Sequence, residues 1–167
     1  MMDQTRRDLL EAGWTVGGGM LLAAAGWTSY VALKPLATAG GGGVLPLLEP
    51  DAYREGSATF VRQGRLYITR AGGELHAIAQ KCPHLGCAVP FCESSGQFEC
   101  PCHGSVFNAA GEWISGPSPR GMDRYPLQIA DGRVLVNTTV LEEGAPLGSR
   151  KFDLPPRGPS CATEPAG

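Results

Sequence analysis

The stretch Cys82–Ser105, "CPHLGCAVPFCESSGQFECPCHGS", holds five of the chain's six cysteines and two of its three histidines. The donors fall into two short boxes, Cys82-Pro-His84-Leu-Gly-Cys87 and Cys100-Pro-Cys102-His103-Gly-Ser105. Zinc sites use C-x₂₋₄-C and H-x₃₋₅-H pairs. Here the pairs are C-x-H and C-x-x-H, unusual for a zinc finger. A thioredoxin-like site needs C-x-x-C, and no cysteines in this chain have that spacing. A blue-copper site wants one Cys, two His and usually a distant Met. A [2Fe–2S] cluster with mixed donors takes two thiolates on one iron and two imidazoles on the other. Two boxes that each supply a Cys and a His suit that geometry. Cys82 and Cys100 then sit on one iron, His84 and His103 on the other.

Outward from the boxes the chain reads as short strands. Candidates are 58–62, 65–69 and 75–79 before the boxes, 98–100 and 105–108 around the second, and 124–129 and 134–137 after it. Gln63-Gly64, Ala71-Gly72-Gly73 and Asp131-Gly132 read as hairpin turns. The fold class is therefore all-β over about 44–144, with a cluster subdomain near 80–120. His76 sits in an alternating strand and reads as structural. Gly (24) and Pro (14) are abundant among 167 residues, which suits many loops. Together they stay below the roughly 25–30% that marks a disordered chain. Residues 145–167, with five prolines and three glycines, read as an irregular tail. A net charge of -2 gives no footprint for nucleic acid.

At the other end, Trp14–Leu33 is a run of twenty residues without a charge. As a helix it spans about 30 Å, the thickness of a bilayer core. Trp14, Trp27 and Tyr30 lie toward its ends, where interfacial aromatics sit. Arg6 and Arg7 precede it in segment 1–13, and such a pair before a moderately apolar run resembles a twin-arginine (Tat) export signal. Ala37-Thr38-Ala39 could serve as a cleavage site, but a run that spans the bilayer favours a retained anchor. Residues 34–43 carry Pro35 and four consecutive glycines, and read as a hinge. These features place the N-terminus inside a bacterial cytoplasmic membrane and the β domain on its outer, periplasmic side.

The two boxes together resemble the Rieske iron–sulfur proteins, specifically those of cytochrome bc complexes. The resemblance covers roughly residues 5–138. It implies an antiparallel β base carrying a rubredoxin-like subdomain and one [2Fe–2S] cluster held by Cys82, His84, Cys100 and His103. It also implies a Cys87–Cys102 disulfide between the cluster loops, and a proline loop, Gly116-Pro117-Ser118-Pro119, on a third side. Ser105 matches a serine whose hydroxyl donates to a cluster sulfur; Leu85, Gly86 and Gly104 complete the surroundings. Many members carry a tyrosine donor where this chain has Phe107, so the resemblance implies a lower potential than in those relatives. A redox titration against Phe107→Tyr tests this, with an upward shift expected in the variant.

The resemblance further implies a function. His103 contacts a quinol, the cluster takes one electron and the imidazole one proton. The second electron goes to a cytochrome b subunit, and the head moves on its linker to reduce a c-type cytochrome in a dimeric complex. The Rieske subunit of an exported oxidoreductase such as arsenite oxidase is the alternative within the family. A structural zinc-binding exported domain is the alternative of another class. Cys92 and Cys161 match no ligand; in an oxidising compartment they could form a second disulfide that clamps the tail.

Overall fold

The structure is a computed structural model and describes residues 2–33 and 42–163. Of the expected hinge, only Gly42 and Gly43 fall within the described residues; the last residues of the tail, 164–167, fall outside them.

Helix α1 is a single element, Met2–Leu33. It begins ahead of the expected span 14–33 because nothing in "RRDLLEA" breaks a helix and Leu, Glu and Ala favour one. Within it Thr5–Leu33 is long and apolar enough to cross a membrane, at a hydropathy of 1.3. The hydroxyls of Thr15 and Thr28 donate to the carbonyls of Glu11 and Ala24, each at 3.0 Å. That satisfies two polar groups without water, as a lipid environment requires.

The β domain has eleven strands among the described residues. They are β1 (Val44–Pro46), β2 (Ala58–Val61), β3 (Leu66–Ala71), β4 (Glu74–Ala79), β5 (Phe91–Cys92) and β6 (Gln97–Glu99). Then follow β7 (Val106–Phe107), β8 (Trp113–Ser115), β9 (Arg124–Tyr125), β10 (Leu127–Ala130) and β11 (Arg133–Asn137). Three antiparallel sheets result, ordered β1-β11-β10, β2-β3-β4-β9 and β5-β6-β7-β8.

Two hairpins turn on paired left-handed residues, Gly72 (φ 63) with Gly73 (φ 78) and Asp131 (φ 50) with Gly132 (φ 72). Both central residues at positive φ match the twist of the flanking strands. The turn expected at Gln63-Gly64 is longer. Its left-handed residue is Arg65 (φ 48), whose N–H reaches the Arg62 carbonyl at 3.3 Å, so β3 starts one residue late. The strand expected over 124–129 breaks at Pro126, which has no N–H to give a ladder. Its first part, β9, pairs with β4, and its second, β10, pairs with β11.

Strand alternation assembles the core in layers. Leu66 and Ile68 of β3 and Ala77 of β4 point one way and pack with Val134 and Val136 of β11. Tyr67 and Ile78 point the other way and pack with Phe98, Phe107, Cys82 and Cys100. The middle sheet thus buries both faces, and its second face is the floor under the two cysteines. Phe98 is edge-on to both Tyr67 (5.2 Å) and Phe91 (5.0 Å), an arrangement that favours aromatic pairs.

Candidate metal centre

The two boxes form loops of one design. Loop one, Cys82–Cys87, is closed by the antiparallel bridge Lys81↔Ala88, and loop two, Cys100–Ser105, by the ladder pair Glu99↔Val106. In each the first N–H donates to the sixth carbonyl: Cys82 to Cys87 and Cys100 to Ser105, both at 2.8 Å. In each the fifth N–H donates back to the first carbonyl: Gly86 to Cys82 at 2.9 Å and Gly104 to Cys100 at 3.1 Å. That fifth residue is left-handed, at φ 82 for Gly86 and φ 72 for Gly104, which glycine adopts without strain.

The frame sorts the donors. Cys82 and Cys100 are 2% and 5% exposed and are the free cysteines of the structure. Their side chains lie within hydrogen-bonding reach of one another. Burial pushes the Cys82 thiol up, and neighbouring Cys100 adds to this, against the backbone N–H groups of His84 and Leu85. A bare Cys82 thiolate is therefore disfavoured, and a bound cation would offset that cost. His84 is half-buried and His103 exposed, with ring centroids 4.9 Å apart and planes at 87°. Thiol pairs with thiol and ring with ring, which suits two metal atoms with separate donor pairs.

The remaining cysteines are oxidised. Cys87–Cys102 joins the two loops with Cα atoms 6.6 Å apart, and both its sulfurs lie within 4.8 Å of the Cys100 sulfur. Cys92–Cys161 ties β5 to the tail, with Cα atoms 5.7 Å apart.

Segment 116–119 backs loop two. Gly116 (φ 92) lies so close that a Cβ there would stand 2.5 Å from Ser105 Cα and 2.7 Å from the Gly104 carbonyl oxygen. Trp113 Nε1 donates to the Gly116 carbonyl at 3.1 Å. Ser105 is fully buried, and its hydroxyl accepts the Ser118 N–H at 3.1 Å, which leaves its own proton to donate. Phe107 is wholly buried beside Cys100 in the core. Leu85 stands 70% exposed at the tip of loop one. Pro117 and Pro119 are exposed.

His76 is apart from the centre. It is buried, its Nε2 contacts the Ala71 carbonyl at 3.2 Å, and Phe152 stands edge-on to it at 5.4 Å. Burial pushes its imidazole below the ordinary range, opposed by the bond to Ala71.

Three buried carboxylates, Glu99, Glu112 and Asp123, escaped the sequence reading, and the first two meet the tail. Glu112 receives the N–H of Lys151 (2.8 Å), the N–H of Phe152 (3.1 Å) and Asn108 Nδ2 (2.8 Å). Glu99 receives the hydroxyls of Ser95 and Ser160, each at 2.7 Å. The tail residues bonded to them lie 39 or more residues away in sequence from Glu112 and 61 or more from Glu99. The one local hint is that both sit next to strand residues that face the core.

The fold and the donor set suit a metal centre with mixed sulfur and nitrogen ligation. The Rieske [2Fe–2S] domain model matches residues 44–126. The chain is 37% identical over 73 residues to the cytochrome b6-f complex iron-sulfur subunit of Chlorobaculum tepidum, covering 44% of this chain and 40% of that one. The corresponding subunit of Gloeobacter violaceus is 46% identical over 55 residues, 33% of this chain and 30% of that one. The chain thus spans less than half the length of these curated relatives. The cyanobacterial plasma membrane Rieske protein from Synechocystis PCC 6803 is 32% identical, with 48% of this chain and 83% of that chain covered and a TM-score of 0.41. A naphthalene 1,2-dioxygenase chain, at 19% identity and TM-score 0.50 over 57% of this chain and 26% of that one, shares the fold. The chain belongs to the Rieske [2Fe–2S] family, and its cofactor is a Rieske-type [2Fe–2S] cluster.

Proposed function

We propose that this chain is a membrane-anchored Rieske subunit that oxidises quinol and passes the electron to a c-type cytochrome, with a cytochrome b subunit as partner. The observation that carries the reading is the split of the donor set: two buried thiols on the floor, and a half-buried and an exposed imidazole above them. When bound, a [2Fe–2S] cluster supplies a one-electron redox centre of raised potential, because neutral imidazoles replace two thiolates. Cys82 and Cys100 would hold one iron and His84 and His103 the other. His103, the more exposed ring, meets the quinol hydroxyl and takes its proton as the electron leaves. Leu85 offers an apolar contact beside it for the quinone ring. Cys87–Cys102 keeps the two loops from parting and so keeps water from the sulfurs. The Ser118 N–H fixes the Ser105 oxygen, so the Ser105 hydroxyl proton would be free to donate to a sulfur of the bound group. Helix α1 anchors the chain in the bacterial cytoplasmic membrane, with the Rieske domain outside.

The test is purification from the native membrane in mild detergent. Co-purification with a b-type cytochrome and quinol-driven reduction of a c-type cytochrome are expected. His103→Ala should abolish that reduction. Co-purification with a molybdenum subunit, and no quinol oxidation, would replace this reading with that of an exported oxidoreductase relay.

A further inference from the structure

The chain after β11 returns to both sides of segment 116–119. On the near side is the turn between β7 and β8, residues 108–112. Its buried Glu112 carboxylate accepts two successive backbone N–H groups, Lys151 at 2.8 Å and Phe152 at 3.1 Å. Asn108 Nδ2 donates to the same carboxylate at 2.8 Å and to the Phe152 carbonyl at 3.2 Å. The Phe152 side chain packs on Ala71, Ala109 and Ala110. On the far side are residues 120–124. Residues 142–146 pair with them antiparallel, through the bridges Arg120↔Pro146 and Arg124↔Glu142. The Gly121 N–H donates to the Ala145 carbonyl at 2.8 Å, and Arg124 and Glu142 exchange both N–H bonds, at 2.9 and 2.8 Å. The Gly144 N–H donates to the buried Asp123 carboxylate at 3.0 Å. This layer has no room for a side chain. A Cβ on Gly144 would collide with the Gly121 carbonyl, and one on Gly121 would stand 2.8 Å from the Gly111 carbonyl oxygen.

What lies between the two held sides touches loop two directly. Trp113 Nε1 donates to the Gly116 carbonyl, Gly116 lies against Ser105 and the Gly104 carbonyl, and the Ser118 N–H donates to Ser105 Oγ. Gly104 and Ser105 follow His103 in the chain. We propose that residues 142–152 are a brace that fixes segment 116–119 against loop two and so holds His103 in its binding pose, with Glu112 and Asp123 as positioning residues. Both act as acceptors for the brace's backbone N–H groups, which a carboxylate can take several at a time. A loop without such backing visits several poses, and apparent affinity falls with the fraction that is competent to bind. Loop one has no counterpart, since its Gly86 faces only the end of Lys81. The brace lies beyond residues 44–126 of the family domain.

This inference rests on the reading of His103 as the quinol contact, and the test has one arm for each. In the first, hydrogen exchange of the full-length protein in detergent is resolved to single amides by mass spectrometry. The Gly104 and Gly86 amides make the same bond in the two loops, so loop one is the internal reference. Glu112→Ala and Asp123→Ala are expected to speed exchange at Gly104 and Ser118 several-fold and to leave Gly86 unchanged. Glu74→Ala removes only the surface ion pair with Lys151 Nζ and should leave all three unchanged. Glu112→Gln keeps one acceptor oxygen and should show the same pattern at reduced size, so it decides even where Glu112→Ala does not fold. Unchanged exchange at Gly104, or equal acceleration at Gly86, overturns the brace. In the second arm, Glu112→Gln in the assembled complex is expected to raise the quinol KM several-fold with kcat little changed. An unchanged KM alongside faster Gly104 exchange overturns the positioning of His103. A wild-type complex that oxidises no quinol defeats the functional reading instead, and the exchange comparison still decides the brace.

Discussion

Loop one and loop two share a backbone frame down to the same two hydrogen bonds and the same left-handed glycine, yet they are supported differently. Loop one rests on a single bridge, Lys81↔Ala88, and its tip residue Leu85 is exposed. A Cβ on its Gly86 would meet only the flexible end of Lys81, at 3.0 Å. Loop two is braced from three directions: by the Gly116 backbone, by the Ser118–Ser105 bond, and by the tail through Glu99. The local frame sets which atoms face the metal, and the tertiary supports set how firmly each loop is held. On this account the softer loop carries the apolar contact surface and the firmer one carries His103 and Ser105.

The largest effect should come from the donors, where the loops are equivalent. Cys82→Ser and Cys100→Ser should each abolish cluster content, measured as iron and acid-labile sulfide per chain, whereas Cys92→Ser should retain most of it. Loss in only one of the two ligand variants breaks the equivalence.

The two disulfides come next and should separate global stability from local closure. Chain entropy assigns about 3 kcal/mol to Cys87–Cys102, with a separation of 15, and roughly 4 kcal/mol to Cys92–Cys161, with a separation of 69. Denaturant unfolding of Cys161→Ser should therefore show the larger stability loss. Cluster release, followed by bleaching of its visible absorbance under chelator, should be accelerated more by Cys87→Ser. The same rank order in both assays would deny that the first disulfide acts locally.

The glycines sharpen the contrast further. Gly116→Ala sets a Cβ against the backbone of loop two and should cost about 3 kcal/mol, the upper end for a strained backbone position. Gly86→Ala is strained by its φ alone and should cost about 1 kcal/mol. Thermal unfolding of the two variants decides, and equal costs would remove the asymmetry of support.

The smallest effect lies away from both loops. The folded protein holds His76 below its ordinary pKa, so the unfolded chain binds the proton more readily. Its contribution to stability is full above the unfolded value of about 6.5 and is lost progressively as pH falls from there toward the folded value. Stability measured between pH 7 and 5 should drop less steeply in His76→Gln than in wild type.

The sequence made the chemistry legible because donor spacing is local: Cys82 with His84, and Cys100 with His103, lie within single loops. The hairpins at Gly72-Gly73 and Asp131-Gly132 were legible for the same reason, since positive φ is a property of the residues themselves. Strands of two or three residues, such as β5 and β8, carry too little alternation to be read as such, and both lie outside the expected strands. The break at Pro126 was misread because apolar residues continue through it, while the ladder partner changes from β4 to β11. Glu99 and Glu112 look like solvent-facing carboxylates in their own strands and loops. Only the path of a proline-rich tail, arriving 63 residues later in the case of Ala162 on Glu99, makes them buried.

The central claim is that Cys82 and Cys100 hold one iron and His84 and His103 the other. EPR of the reduced full-length protein, with ¹⁵N-labelled histidine and resolution of the nuclear couplings, tests it most directly. The account predicts a [2Fe–2S] signal coupled to two imidazole nitrogens, with one coupling lost in His84→Cys and the other in His103→Cys. A reduced protein with no signal, or a [2Fe–2S] signal without nitrogen coupling, would contradict it.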